Sequence, residues 1–210
     1  MKRRTLDLLF SAGGVLFAVL FLILGLVLQN QANFADDYVH DQLSAQRISF
    51  PEEYASGETE VEGSGCLTDF AGKDLTTGKM AECYANFYIA THMAHSAEEA
   101  GLAGETYATV GGVLRTAQAD LAAAEEAGED TTELEARVAE VSGLRESMFK
   151  GETLRGLLLT TFGFSIFGER AATAAIVCFL AAALLFLLSI AGFIHALRTP
   201  ESERVFVETT

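Results

Sequence analysis

The sequence predicts an all-α membrane protein in which two transmembrane helices flank an extracytoplasmic helical domain containing a helical hairpin and one disulfide. Two apolar blocks, helical periodicity in the acidic segment between them, and a pair of cysteines in that segment carry the prediction. Residues 8–28 run for 21 positions without a charge, and residues 171–197 run for 27 with His195 as the one interruption. At about 1.5 Å per helical residue, either block is long enough to cross a hydrocarbon core of roughly 30 Å.

The basic start of the chain, Lys2, Arg3 and Arg4, also fits the n-region of a secretory signal. The apolar run is too long for a signal core and no small-x-small cleavage site follows it, so an uncleaved anchor is expected. Lys and Arg are retained on the cytoplasmic side, which places the N-terminus inside. Two spans return the chain there, where Arg198 and Arg204 flank the tail, although Lys150, Arg155 and Arg170 oppose this orientation. The expected organisation is a cytoplasmic start at 1–6, a first span at 7–28, an acidic outer domain at 29–170, a second span at 171–197 and a cytoplasmic tail at 198–210.

Residues 29–170 hold 25 Asp and Glu against 9 Lys and Arg, a net of −16 in a chain whose total is −15. The negative charge therefore belongs to one segment. Such a field disfavours nucleic acid and anionic lipid surfaces, and it suits either simple solubility or a cationic partner.

Ala32, Ala35, Val39 and Leu43 recur at helical spacing, so the first helix is expected to project outward as far as Arg47, with Phe50-Pro51 breaking it. Residues 51–65, PEEYASGETEVEGSG, are acidic and aperiodic and read as a surface loop. A helix is expected from Thr77 to Ala100, with Met80, Cys83, Phe87, Tyr88 and Met93 or Ala94 near one stripe, and Gly101 and Gly104 ending it. Another from Glu105 to Glu126 carries Tyr107, Val110, Leu114 and Leu121, with Gly128 as its stop and Gly111-Gly112 as a weak point.

Thr132 and Glu135 have the form of a capping box. Leu134, Val138, Val141, Leu144 and Met148 then make a single apolar seam suited to antiparallel packing on the helix before it. Residues 154–168 contain a Phe-rich apolar run too short to span, and read as an interfacial or partner-covered helix. Both spans carry small residues on a face: Ser11, Gly14, Ala18 and Gly25 on the first, and Ala174, Cys178, Ala182, Ser189, Gly192 and Ala196 on the second. Small residues allow close backbone approach in lipid, either between the two spans or within a larger assembly.

Chemistry is sparse. Residues 72–80, GKDLTTGKM, look like a phosphate loop, but five residues separate Gly72 from Gly78 where four are needed, and Met80 stands in place of the magnesium-binding hydroxyl. Nucleotide binding is not expected. Cys66 and Cys83 are the two cysteines of the outer segment, and an oxidising compartment favours a structural disulfide between them, two reduced buried thiols being the alternative. Cys178 reads as a packing residue within the second span. His92 and His95, with Glu98 and Glu99 a turn further on, could share a face and hold zinc, although the zincin pattern is missing and solvent-facing histidines are the ordinary case. No nucleophile elbow, haem or iron–sulfur motif occurs, so neither catalytic residues nor a cofactor are expected.

The stretches DFAGKDLTTGKMAECYANFYIATHMAHSAEEAGLAGETYATV and FKGETLRGLLLTTFGFSIFG resemble a group of actinobacterial membrane proteins with two spans and an outward helical domain. The resemblance rests on Ala71, Gly72, Thr76, Gly78, Ala81, Tyr84, Ala85, Ile89 and His92, then Thr106, Tyr107 and Ala108, then Gly151, Glu152, Leu154, Arg155 and Gly156, and it covers about half of the chain. The segment from Ala119 to Glu140 carries no match. Some proteins of this kind look like accessory subunits of the actinobacterial cytochrome bc1–cytochrome oxidase supercomplex. The resemblance implies a non-enzymatic subunit that touches membrane lipids and a larger protein complex. It carries over no catalytic residue. A free-standing envelope binding module with an acidic outer surface, and a metal hydrolase built on His92, His95 and Glu98, are the rival expectations.

Overall fold

The computed structural model describes residues 2–56, 64–200 and 203. Among the described residues the regular structure is helical and no β-strand forms, apart from an isolated bridge between Ser49 and Asp74. Helices α1 (Arg3–Gln46), α2 (Gly65–Phe70), α3 (Gly78–Cys83), α4 (Ala90–Glu99), α5 (Tyr107–Ala127) and α6 (Thr132–Arg198) follow in chain order. A 3-10 turn at Glu52–Ser56 precedes α2, and a π-helical segment at Tyr84–Ile89 joins α3 to α4. The chain divides into two compact units, Met1–Asp37 with Ile166–Thr210, and Tyr38–Ser165.

Helix α1 continues past the first apolar block as its spacing predicts, with Ala32, Ala35, Val39 and Leu43 all buried. It does not wait for Pro51 to stop it. Arg47 adopts φ +53°, which ends the helix four residues earlier than the proline would. The next residues are held by backbone bonds across to 73–75: the Phe50 N–H donates to the Lys73 carbonyl at 2.9 Å and the Leu75 N–H to the Ile48 carbonyl at 2.8 Å. Of the expected surface loop, residues 57–63 lie outside the described residues.

The largest departure is α6. The hairpin arm, the Phe-rich 154–168 segment and the second apolar block are one helix of 67 residues rather than three elements. Helix interiors break at proline, and both prolines of the chain, Pro51 and Pro200, lie outside it. Glycines at 151, 156, 163 and 168 weaken a helix by about 1 kcal/mol each without ending it.

In the first unit, α1 and α6 pack through small residues. A Cβ added at Gly14 would meet the Ser189 hydroxyl, and one at Gly192 would meet that of Ser11. At Gly25 it would come within 2.7 Å of the Phe179 ring, and at Gly168 within 2.8 Å of Ala35. Ser11, Ala18, Cys178, Ala182, Ser189 and Ala196 are buried as expected, whereas Ala174 is exposed and its neighbour Ala175 fills the inward position. Large side chains point away: Leu9, Phe10, Leu16, Leu180, Leu187 and Leu197 are among those exposed.

The second unit has two cores. Val39, Leu43, Phe50, Leu67, Leu75, Met80, Ala81, Cys83, Ala85, Ile89 and Leu158 form the first. Ala97, Val110, Val141, Leu144 and Met148 form the second, between α4 and the α5–α6 hairpin. Each fully buried large apolar side chain, such as Leu43, Phe50 or Leu158, contributes about 1.5–3 kcal/mol. The hairpin turn is set by Gly128 in the left-handed conformation at φ 70°. At the start of α6 the cap is displaced from the expected Thr132: the Asp130 carboxylate accepts from the Thr132 backbone N–H at 3.0 Å and its hydroxyl at 2.6 Å, and Thr131 donates to Glu135 at 2.7 Å.

Candidate functional site

The residues that could carry chemistry gather where α3, the π segment and α4 pack on α6. Cys66 on α2 and Cys83 at the end of α3 form a disulfide with their Cα atoms 6.1 Å apart. Between them, the stretch that looks like a phosphate loop has other uses. Gly72 turns at φ 69°, where a residue with a Cβ would be strained, and its N–H donates to the Phe50 carbonyl at 3.1 Å. Thr77 caps α3 by accepting from the Met80 N–H at 3.2 Å. Gly78 serves close approach rather than a bend, because a Cβ there would collide with the Ser165 side chain on α6. Lys73 donates to the Asp69 carbonyl at 2.8 Å and sits 5.8 Å above the Phe70 ring.

The expected unbroken helix from Thr77 to Ala100 contains a widened π turn over Tyr84–Ile89. A π turn replaces i→i+4 bonding by i→i+5 bonding and disturbs the ordinary carbonyl ladder. Arg155 on α6 meets this disturbance. Its Nε donates to the Ala85 carbonyl at 3.0 Å, and its Nη1 donates to both carboxylate oxygens of Glu152 at 3.0 and 3.1 Å. Nearby, Gly151 leaves room for the thioether of Met93. The two stretches singled out in the sequence are therefore packed on one another at Gly78–Ser165, Gly151–Met93 and Arg155–Ala85.

An aromatic file runs along the same face. Phe50 meets Phe70 at 5.5 Å and Tyr84 at 5.3 Å between ring centroids, Tyr84 stacks on Tyr88 at 4.4 Å, and Tyr88 meets His92 at 4.2 Å and Tyr54 at 6.2 Å. Burial, and then the neighbouring Tyr88, push the Tyr84 phenol up to about 12. Burial, with Tyr88 and Glu53 adding to it, raises Tyr54 as well.

No known protein family, curated protein or solved structure matches the chain.

The remaining sequence candidates are dispersed. His92 is exposed, engages the Tyr88 carbonyl through Nδ1 at 2.9 Å and lies against the Tyr88 ring, while His95, Glu98 and Glu99 are exposed on α4. Among the described residues no three His, Cys, Asp or Glu side chains are placed to hold a metal together. His195 engages Asp7 at 2.9 Å within the helix pair, and the Thr199 hydroxyl lies 3.4 Å from the same ring nitrogen. Asp7 was not legible as its partner, since 188 positions separate them. Tyr107 at the start of α5 is covered by the Arg145 guanidinium at 4.9 Å and meets Phe149 at 5.5 Å. At the start of α5 the Thr106 N–H donates to the Thr109 hydroxyl at 2.9 Å, and the Thr109 N–H donates to the Thr106 carbonyl at 3.1 Å.

Proposed function

We propose that this chain is a two-span membrane protein with both termini in the cytoplasm and its acidic helical domain outside. In this reading it serves as a non-catalytic accessory or structural subunit that stabilises a larger membrane assembly. The observation that carries the reading is the outward surface of the helix pair. After Gly14, Gly25 and Gly192 have brought the backbones together, large apolar side chains from Leu8 to Val27 on α1 and from Ile176 to Leu197 on α6 are still exposed. Water does not tolerate a contiguous surface of that kind, and lipid or an apolar partner covers it. The polar residues with chemical potential, Cys66, Cys83, Thr77, Asp74 and Arg155, are engaged in holding the fold.

The sequence likeness directs the assembly to the bc1–oxidase respiratory supercomplex of actinobacteria. Native purification in mild detergent is expected to bring the chain down with haem-bearing oxidase subunits, and migration as a free protein in several detergents would sink the assignment. Single cysteines introduced at Lys2 and at Glu126 test the topology: a membrane-impermeant thiol reagent on intact cells should label the second and leave the first.

The excess of 25 acidic over 9 basic residues between 29 and 170 favours a second reading, an independent envelope module that captures a cationic ligand. A protein that purifies alone and binds basic ligands saturably would support it.

A further inference from the structure

Within the helical domain, α4, the residues leading into α5, and α6 line an open cleft of about 250 Å³. Its walls include Met93, Met148 and Tyr107, and its polar lining includes Glu105, Glu152 and Arg155. We propose that this cleft receives a lysine side chain from a partner protein, with the aliphatic stem between Met93 and Met148 and the ammonium against Glu105 and Glu152.

The charge balance selects a cation. Among the described residues Arg155 is the one basic side chain in the lining, and it is already committed to the Ala85 carbonyl and to Glu152. Glu105 is left as the excess charge. The N-terminus of α5 contributes about half a positive charge beside it, which falls short of cancelling a full carboxylate. The segment 29–170 to which these residues belong, with 25 acidic residues against 9 basic ones, adds a field that draws cations and repels anions. Apolar walls then ask for a cation on an aliphatic stem rather than a bare ion. Lysine suits the site better than arginine, because a guanidinium gains most by stacking on an aromatic ring, and the Tyr107 ring already has Arg145 at 4.9 Å.

This inference rests on the subunit reading for the source of the lysine, but its test needs no partner, so the failure of one is separable from the failure of the other. The chain has four methionines, Met1, Met80, Met93 and Met148, of which Met93 and Met148 line the cleft and Met80 belongs to the other core. Full-length protein in lipid nanodiscs, labelled at the methionine methyls, is titrated with n-butylammonium, with the peptide acetyl-Ala-Lys-Ala-amide and with n-butanol. The expected result is a saturable shift of the Met93 and Met148 signals with both amines, an unmoved Met80 signal, and no saturable response to the alcohol. Glu105→Gln should weaken both amines about three- to fivefold, in keeping with a solvent-accessible charge pair, while the unchanged Met80 signal reports an intact fold. The proposal is overturned by equal responses to butanol and amine, by a response to free amine without one to the peptide, or by Glu105→Gln leaving the affinity unchanged.

Discussion

The helix pair and the helical domain both place glycines against larger side chains, yet to opposite ends. In the pair the device is reciprocal: Gly14 faces Ser189 and Gly192 faces Ser11, so the backbones close on each other and the large side chains turn outward. In the domain Gly78 admits Ser165 and Gly151 admits Met93, while Leu43, Phe50, Leu75 and Leu158 turn inward. On the proposed membrane reading, the difference follows from the surroundings. Burying a leucine is strongly favourable in water and gains little in hydrocarbon, where close packing between backbones is what remains. The domain adds a covalent link and an arginine clamp, neither of which the pair has among its described contacts.

The contrast can be broken most sharply at the disulfide. Replacing Cys66 and Cys83 by serine should lower the stability of the helical domain by about 3 kcal/mol on loop entropy, and should leave association of the helix pair unchanged. Denaturant unfolding with and without reductant, read beside cross-linking of cysteines placed on α1 and α6, checks both halves. The reverse experiment is Gly192→Val, which puts branched bulk against Ser11 and should cost the pair about 1–3 kcal/mol through overpacking. Its signature is a loss of α1–α6 cross-linking with the amide exchange of α3 and α5 unaffected.

Arg155→Ala leaves the Ala85 carbonyl without its side-chain donor, and a cost of about 1–3 kcal/mol is expected. Faster amide exchange confined to 84–94 would distinguish this from general unfolding, and lysine at the same position should restore only part of the protection. A smaller effect appears at alkaline pH. Because the Tyr84 phenol is raised to about 12, its neutral form is favoured in the folded state, so its contribution is intact below the ordinary tyrosine value and is lost as pH rises through about 12. Ultraviolet titration of tyrosinate should lose its late step in Tyr84→Phe. The smallest effect is at Asp130, whose carboxyl is held below its usual range first by the Thr132 hydroxyl and then by the Thr132 backbone. Its contribution is present above the ordinary carboxylate range and disappears as pH falls through the folded value. Asp130→Asn should speed exchange at the first turn of α6 at neutral pH and make no difference at strongly acid pH.

Periodic and local signals were read well from the sequence. The stripe Ala32, Ala35, Val39 and Leu43 and the Gly128 stop each depend on neighbours within a few residues, and each is present; of the seam from Leu134 to Met148, Val141, Leu144 and Met148 are buried in the second core while Leu134 and Val138 are half-buried. The Cys66–Cys83 pairing was legible because the outer segment offers no other cysteine. What escaped depends on distant chain. Arg47 takes over the stop assigned to Pro51 because 48–50 must reach 73–75, and α6 remains whole because no proline interrupts it, with Gly151, Gly168 and Gly192 packed against Met93, Ala35 and Ser11 while Gly143, Gly156 and Gly163 face open space. The shift from Ala174 to Ala175 comes from which face the partner helix meets. Of the candidate site, Arg155, Gly151 and Ala85 were marked by resemblance, whereas the pairing of Arg155 with Ala85 and of Gly151 with Met93 required three dimensions.

The π segment at Tyr84–Ile89 has a consequence for chain length. An α-helix turns about 100° per residue, so a chain shorter by one residue here could run as an unbroken α-helix and would present a different face of α4 to α6. Residue number and arginine are therefore linked through one carbonyl, that of Ala85. Sequences of this architecture with a one-residue gap at 84–89 should have lost the arginine at 155 as well, and those that retain the arginine should retain the extra residue.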